Sequence, residues 1–472
     1  MQFITWQFIV FFIVAMIFLL PRFKNKKYVL AALNVVFYIS SGISGLIILL
    51  LFTSLTYLFG LFAEKNKSKV LFSVFLILSL APLLFYKYTN FLLCDMLNME
   101  HKNIIAPLGI SFFTFQGVGY IIDVYRGKYL AEKNPVNYFI FISLFTCVTS
   151  GPINRGESIL SQIRAYGENE FNYKRCVDGL KYVLIGIFLK VLISSRVEQM
   201  VSVPFAEPSA SSGLALLIAS VCFTIQIFCD FCGYSYMSYG LSKVIGIDVI
   251  QNFNSPYFSK SVTEFWRRWH ISLSSWLRDY VYFPLGGSRC SKYRNYANIL
   301  ITFTLSGLWH GASWTFIIWG LLNGVCLAAE KMTGFNKKIT GRISAFIHWF
   351  ITISVTNIMW VFFRANTLKD ALIIVRKIFI ESVSDIHLVS SMEGIEKLLS
   401  QTGSTLSGAI ATIIALFLFF AFEVFFDRKG KVTAFLDSRN IIVRWVLYIC
   451  IISLILVFGV TGKAGEFIYA KF

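Results

Sequence analysis

Long stretches without charged residues constrain this chain more than any other feature. The stretches that lack Asp, Glu, Lys and Arg include residues 2–21, 28–63, 103–122, 208–229, 295–329, 398–422 and 445–462. Crossing a bilayer core takes about 20 apolar residues, so each stretch is long enough to span one. Charged residues make up 14% of the chain, whereas a soluble domain carries about 25%. None of the stretches alternates like a barrel strand, so we expect an all-α polytopic integral membrane protein.

Shorter apolar segments at 70–86, 134–151, 179–195 and 346–363 should also cross the membrane or dip into it. Together with the longer stretches they predict about ten to thirteen transmembrane or re-entrant helices. The first segment lacks a basic start and a small-residue cleavage site. We therefore expect it to be a retained anchor and not a cleaved signal peptide.

The formal net charge of +18 is explained by membrane topology without nucleic acid. Basic clusters follow or precede the apolar stretches at 22–27, 65–69, 289–294, 331–342 and 428–444. Cytoplasmic loops of membrane proteins carry an excess of Lys and Arg, so we expect these clusters on the cytoplasmic side. An even number of crossings fits between neighbouring clusters, which supports that topology. No nucleic-acid partner is expected.

The stretch 263–289 concentrates charge among aromatic residues. Ser261 and Glu264 have the spacing of a capping box, so a helix should start there. On a continuous helix Trp266 and His270 would share one face, and Glu264 would pair with Arg268 four residues later. Arg267 and Arg278 would share a second face with Ser274. Pro284-Leu-Gly-Gly287 should end the helix.

His310 is the only His, Asp, Glu, Lys or Arg in the stretch 295–329. At 1.5 Å per residue, a helix starting at Asn295 would place His310 about 22 Å into a core about 30 Å thick. Gly307, Gly311 and Ala312 beside it leave space for a ligand or another backbone. A packing role would need a buried polar partner and gives no reason for these small residues. We therefore favour a functional role for His310.

Gln226 and Asp230 lie four residues apart at the end of another apolar stretch. An ionisable group at membrane depth is costly and faces the protein interior or a water-filled cavity. Asp230 is therefore a candidate site residue, and an ion pair with an Arg of 263–289 is an equally good explanation. Cys229 and Cys232 have CxxC spacing without a second pair, so we expect no metal site. Small and hydroxyl residues in 104–127 fit either helix contacts or a polar cavity wall.

Several motifs make the chain resemble the membrane-bound O-acyltransferase (MBOAT) family. Two of them, Phe265-Trp-Arg-Arg-Trp-His270 and Leu308-Trp-His-Gly311, carry the resemblance most strongly. Further matching residues are Pro107–Gln116, Asp123–Gly127, Gly151-Pro152, Asp230-Phe231, Gly233-Tyr-Ser235, Asn252–Tyr257 and Tyr282–Gly287. The chain looks most similar to the bacterial branch that acetylates alginate or peptidoglycan. The D-alanyl branch shares the Trp-His and Arg-Asp-Tyr motifs but not Pro-Leu-Gly-Gly.

The resemblance implies the MBOAT fold, with helices around a central funnel or channel, in one domain spanning 1–472. Residues 1–100 would be peripheral anchoring helices, 104–330 the catalytic core, and 331–472 interfacial helices and scaffold spans. His310 would be the catalytic histidine and His270 a second essential one. We expect further donor-binding or substrate-binding residues around them, namely Gln226, Asp230, Trp266, Arg267, Arg268, Trp269, Arg278, Asp279 and Trp309.

The expected reaction moves an acetyl group from a cytoplasmic thioester, with acetyl-CoA as the donor substrate, to an extracytoplasmic polysaccharide. No permanently bound cofactor is expected. The resemblance also implies a bacterial inner-membrane location and a periplasmic or secreted SGNH-type acetyltransferase partner. Tyr236 and Cys232 stand where relatives usually have Asp and Ser, which leaves the acceptor open. D-alanyl or other acyl transfer to an envelope polymer is the alternative reaction. A polytopic transporter is a further alternative, although paired half-repeats with broken helices are not apparent.

Overall fold

The computed structural model describes residues 1–20, 25–102, 104–168, 172–424 and 433–460. Helices account for all of the regular structure in these ranges, and no strand occurs in them, so the predicted all-α class is confirmed. The basic clusters 22–27 and 428–444 lie partly outside the described residues. Within the described residues the backbone groups into two compact units, Met1–Val183 with Tyr234–Gln251, and Leu184–Gly233 with Asn252–Phe472.

Seven helices lie wholly in the first unit. They are α1 (Trp6–Leu19), α2 (Lys26–Ile39), α3 (Ile43–Lys65), α4 (Lys69–Asn90), α5 (Ile110–Tyr125), α6 (Pro135–Ser143) and α7 (Gly156–Arg164). Two further helices, α8 (Tyr173–Ile187) and α11 (Gly213–Ile245), contribute to both units. A π-helical segment, Phe91–Met96, extends α4.

The second unit holds the remaining helices. They are α9 (Ser195–Glu198), α10 (Ser202–Ala206), α12 (Val262–Arg268), α13 (Ile271–Leu277), α14 (Lys292–His310), α15 (Trp314–Thr333), α16 (Gly341–Arg364), α17 (Leu368–Ile380), α18 (Met392–Gln401), α19 (Leu406–Phe422), α20 (Ala434–Asp437) and α21 (Ile441–Phe458). Two π-helical segments, Phe188–Ser194 and Arg278–Tyr282, extend α8 and α13.

Six described helices are long and apolar enough to cross a membrane: α3, α4 with its π-helical extension, α11, α15, α16 and α21. The bent pair α18 and α19, which turns by 76°, makes a seventh if it counts as one broken span. This is fewer than the ten to thirteen spans and dips expected, because several apolar segments fold as shorter helices such as α1 and α6. The polytopic character is confirmed.

Small residues bring α3 and α5 into close contact in the first unit. A Cβ added at Gly117 of α5 would lie 2.8 Å from the Phe52 ring of α3, and one at Gly60 of α3 would lie 2.4 Å from the Tyr120 ring. A Cβ atom does not tolerate such distances, so glycine is what lets these helices approach. For Gly117 the structure favours a helix contact over a cavity wall.

Glycines likewise join α14 and α15 into a tight antiparallel hairpin in the second unit. A Cβ added at Gly307 would lie 2.2 Å from the Phe316 carbonyl oxygen, and one at Gly320 would lie 2.3 Å from that of Phe303. The chain therefore turns back directly after His310, as expected for a segment that enters the membrane and returns.

Candidate active site

His270 lies at a sharp bend and not within the continuous helix that we expected for 263–289. The start is as expected, since Ser261 Oγ accepts a hydrogen bond from the Glu264 N–H at 3.0 Å. The pair between Glu264 and Arg268 also forms, at 2.6 Å. However, α12 ends at Arg268 and α13 begins at Ile271. His270 has φ 43° and ψ 55°, the left-handed conformation, so the predicted shared helical face of Trp266 and His270 is wrong.

Hydrogen bonds from the segment before α12 explain the bend. The Asn254 N–H donates to the Arg268 carbonyl oxygen at 3.0 Å, and the Ile271 N–H donates to the Asn252 carbonyl oxygen at 3.0 Å. The Asn252 side-chain oxygen accepts from the Ser272 N–H at 3.2 Å. These contacts satisfy backbone groups that a continuous helix would have satisfied internally. A left-handed non-glycine residue costs about 1–3 kcal/mol and persists only where its surroundings fix it.

His310 occupies the last position of α14, immediately before the turn to α15. Its side chain is 2% exposed. The rings of Trp319 and Phe363 stand edge-on to the imidazole, with centroids 5.0 and 5.4 Å away. The glycine-packed hairpin thus holds the imidazole inside an aromatic enclosure.

The bend and the hairpin bring the two histidines together. Their ring centroids are 6.4 Å apart. Trp309 contacts both, at 5.0 Å from His310 and 5.8 Å from His270. Phe231 of α11 stands edge-on to His270 at 4.7 Å. Two imidazoles predicted from separate motifs therefore share one buried aromatic pocket.

The His270 imidazole is fully buried, and neither of its ring nitrogens has a hydrogen-bond partner among the described residues. Burial lowers the pKa of His270 to about 3, because the charged ring would lose its hydration. His270 is consequently neutral at physiological pH, with one N–H donor and one acceptor nitrogen. A buried polar group without a partner is costly, which is a common sign of a ligand position.

A cavity of about 630 Å³ lies beside this pocket. Trp266, Ile271 and Ser306 belong to its wall; Ile271 follows His270, and Ser306 precedes His310 by one helical turn. Neither histidine lines the cavity. Its other polar lining residues are Thr263, Arg267, Ser274, Ser275, Arg278, Tyr282, Ser288, Thr302, Lys331, Asn336 and Lys337. Of the four cationic side chains, Lys331 contacts the Asn295 side-chain oxygen, and all four are exposed. The cavity wall therefore carries four exposed cationic side chains, and Ile271 and Ser306 connect it to the segments that hold the histidines.

The structure places the other predicted site residues as follows. Trp266, Arg267 and Arg278 line the cavity, while Trp269 and Trp309 pack in the aromatic pocket. Arg268 pairs with Glu264, and Asp279 pairs with Arg278 at 2.9 Å. Asp230 and Gln226 are buried in α11 and do not line the cavity. Asp230 forms a buried ion pair with Lys190 and immediately precedes Phe231, which contacts His270.

Sequence reasoning missed three groups of residues. Lys190 lies in the apolar segment 179–195, which also contains Lys181, and a charge flanked on both sides by apolar residues is the signal that could have identified it. Lys331 and Lys337 line the cavity, whereas their sequence pattern indicates only a cytoplasmic basic cluster. Trp319, Trp360 and Phe363 enclose the site without any motif that marks them.

Within the described part of the chain, no group of three or more His, Cys, Asp or Glu side chains comes together in a way that could hold a metal ion. Cys229 and Cys232 are buried on α11 and form no disulfide.

The chain is similar to several bacterial enzymes. It is 38% identical over 305 residues to a probable alginate O-acetylase of Pseudomonas aeruginosa, covering 62% of this chain and 57% of that protein. It is 33% identical over 344 residues to a peptidoglycan O-acetyltransferase of Helicobacter pylori, covering 66% and 65%. It is 30% identical over 350 residues to a teichoic acid D-alanyltransferase of Bacillus subtilis, covering 70% and 88%. The matches thus span less than two thirds of the alginate and peptidoglycan relatives.

The model of the membrane-bound O-acyltransferase family matches residues 130–367, which include both histidines, their aromatic pocket and the cationic cavity. Together with the apolar helices and the relatives above, this match shows that the chain belongs to the membrane-bound O-acyltransferase family.

Proposed function

We propose that this protein is an acyltransferase that takes an acetyl group from a thioester and delivers it for O-acetylation of an extracytoplasmic polysaccharide. The observation that carries the proposal is the pair of imidazoles 6.4 Å apart in one buried pocket, beside a cationic cavity. The similarity to alginate and peptidoglycan O-acetylating proteins supports this substrate class. We further propose a bacterial inner-membrane location.

In the proposed reaction, His310 acts as the general base. It takes the proton of an acceptor hydroxyl, the hydroxyl oxygen forms an ester bond with the thioester carbonyl carbon, and the carbon–sulfur bond breaks to release the thiol after proton return. A neutral imidazole suits this task near pH 7. The neutral His270 ring, whose nitrogens lack partners in the described residues, is placed to hydrogen-bond the donor or acceptor.

The cavity suits the donor. Coenzyme A carries several phosphate charges, and Arg267, Arg278, Lys331 and Lys337 on the cavity wall supply four positive charges. The narrow thioester end would then extend past Ser306 towards His310. Because His310 is 2% exposed, the donor reaches it only when side chains of the aromatic pocket move.

Stabilising the oxyanion requires a hydrogen-bond donor near His310. The Gly311 N–H donates to the Gly307 carbonyl oxygen at 3.2 Å, and the Trp266 indole N–H donates to Asn323 at 3.1 Å. Both donors are therefore engaged in the conformation described. The Trp309 indole, whose ring contacts both imidazoles, is a further candidate donor.

A second reaction is D-alanyl transfer to an envelope polymer. The similarity to the teichoic acid D-alanyltransferase favours it, since the match covers 88% of that protein. The Pro284–Gly287 motif and the higher identity to the acetylating proteins favour acetyl transfer. A secreted SGNH-type partner that completes delivery to the polysaccharide belongs to the same proposal.

The test is acyl transfer by the full chain in lipid nanodiscs, supplied with acetyl-CoA or with a D-alanyl thioester. We expect acetyl transfer or acetyl-thioester hydrolysis that falls at least about 100-fold in His310→Ala, the loss typical for a general base. His387→Ala is the matched control, because His387 is exposed and lies outside the site. A folded His310→Ala protein with full turnover would refute the role of His310. Turnover of the D-alanyl donor alone would select the second reaction.

A further inference from the structure

A second cavity, of about 430 Å³, lies in the first unit. None of its lining residues belongs to the motifs that contain His270 and His310. The end of α1, the first residue of α2, the turn after α7, the start of α8 and the end of α11 form its walls. All of these segments belong to the first unit. Nothing in the proposed reaction uses this cavity.

The cavity is apolar on one side and cationic on the other. Met16, Leu19 and Leu20 form the apolar part, and Lys26, Arg175 and Lys243 form the cationic part. Among the described residues of the wall, Asp248 is the one acidic residue, and its carboxylate pairs with Arg175 at 3.2 Å. These described residues therefore carry a net charge of about +2.

Hydrogen bonds fix the cationic wall in place. The Gln162 side-chain amide binds both backbone groups of Asp248, at 2.7 and 2.9 Å. The Tyr166 hydroxyl donates to the Ile245 carbonyl oxygen at 2.7 Å, and the Arg175 Nε–H donates to that of Lys243 at 3.0 Å. The end of α11 and the turn after α7 are thus held together before any ligand binds.

Two ammonium groups at this wall retain unused donors. The Lys26 Nζ lies 5.7 Å from the centre of the Tyr166 ring, and the Lys243 Nζ lies 5.5 Å from that of Tyr239. No carboxylate or hydrogen-bond acceptor binds either group among the described residues. An ammonium has three donor hydrogens, and the contact with a ring face engages none of them in a hydrogen bond to a lone pair. An anion between the two lysines and Arg175 would use these donors.

We propose that this cavity binds the phosphate headgroup of an anionic phospholipid. The phosphate would lie between Lys26, Arg175 and Lys243, and the glycerol and first acyl carbons would lie against Met16, Leu19 and Leu20. The apolar wall argues for a lipid over a free phosphate, which would leave that wall uncovered. Basic pockets between helices at the cytoplasmic side of a membrane are a known form of lipid site, and the basic clusters next to Lys26 predict that side.

The experiment uses the purified, delipidated full chain in detergent, titrated with phosphatidylglycerol, phosphatidylcholine or glycerol 3-phosphate. Thermal unfolding and native mass spectrometry report binding. We expect phosphatidylglycerol alone to raise the unfolding temperature and to remain bound. Lys26→Gln/Lys243→Gln should bind it about 30-fold more weakly, because each lysine near the surface contributes about 1 kcal/mol to anionic lipid binding.

Lys27→Gln/Lys174→Gln is the matched control, since it removes the same charge from sequence neighbours that do not line the cavity. It should bind phosphatidylglycerol like the unmodified chain. Lys26→Arg/Lys243→Arg should also retain binding, and it keeps the test valid if the Gln variant does not fold. Equal weakening in the Gln variant and the control would overturn the proposal, as would an equal response to glycerol 3-phosphate.

Discussion

The two histidines of the site are held in opposite ways. His310 ends a 19-residue helix with ordinary geometry, and its position follows from the glycine packing of α14 against α15. His270 sits between two seven-residue helices in a left-handed conformation, and its position follows from hydrogen bonds to Asn252 and Asn254. One imidazole is placed by helix packing and the other by a strained bend.

Because the two histidines are held differently, we expect substitutions at the hairpin and at the bend to affect folding differently. The backbones of α14 and α15 touch without intervening side chains, so an added side chain at the contact cannot be accommodated by a change of rotamer. Each hydrogen bond at the bend contributes about 1 kcal/mol to the free energy of unfolding, so the loss of one of them should lower stability by a similar amount. Substitutions at the hairpin should therefore abolish folding, whereas substitutions around the bend should lower stability in steps.

The largest effect is expected from Gly307→Val. The added Cβ would lie 2.2 Å from the Phe316 carbonyl oxygen, and backbone atoms on both sides leave nothing that can rotate away. We expect the variant to lose folded protein, measured as the monodisperse fraction after detergent extraction and gel filtration. Gly45→Ala is the control, because its Cβ would meet no atom within 4 Å. A well-folded Gly307→Val protein would mean that helix packing does not place His310.

A smaller effect is expected from separating the buried ion pair of Lys190 and Asp230, with side chains 2% and 1% exposed. Lys190→Met leaves the Asp230 carboxylate without this buried cation, which costs about 3–5 kcal/mol. Because Phe231 follows Asp230 and contacts His270, the loss should reach the bend but not the hairpin. Unfolding in denaturant, monitored by tryptophan fluorescence, measures it.

The double variant Lys190→Met/Asp230→Leu separates the charge from the packing. Replacing both partners by apolar side chains removes the uncompensated charge, so stability should recover most of the loss. If the double variant is less stable than Lys190→Met, the two side chains contribute through packing and the ion pair is not the reason for the loss.

The same contrast explains which features the sequence could predict. The Ser261 cap and the pair of Glu264 with Arg268 depend on neighbouring residues, and both were predicted. The bend at His270 was not, because Trp269-His270 contains neither glycine nor proline. Its cause lies in hydrogen bonds from residues that precede it by about 15 positions, which no local pattern reports.

The ion pair at Asp230 illustrates a second limit. The cost of a charge at membrane depth predicted a partner for Asp230, and an Arg of 263–289 was the partner considered. The structure pairs Asp230 with Lys190 from another helix. Pairing across elements depends on which helices pack together, and a single sequence does not contain that information directly. Because the segment 179–195 is apolar on average, hydropathy alone does not single out Lys190 as a partner for Asp230.

The smallest effect, and the sharpest test of the bend, comes from comparing His270→Gly with His270→Ala. Both variants lack the imidazole, so both should lose its contribution to donor binding and turnover equally. They differ in the backbone, since glycine adopts φ 43° without the steric cost that alanine has in the left-handed region. We expect the glycine variant to unfold with a free energy about 1 kcal/mol higher than that of the alanine variant. Equal stabilities, or a more stable alanine variant, would show that position 270 is not strained. The hydrogen bonds to Asn252 and Asn254 would then be a consequence of the bend and not its cause.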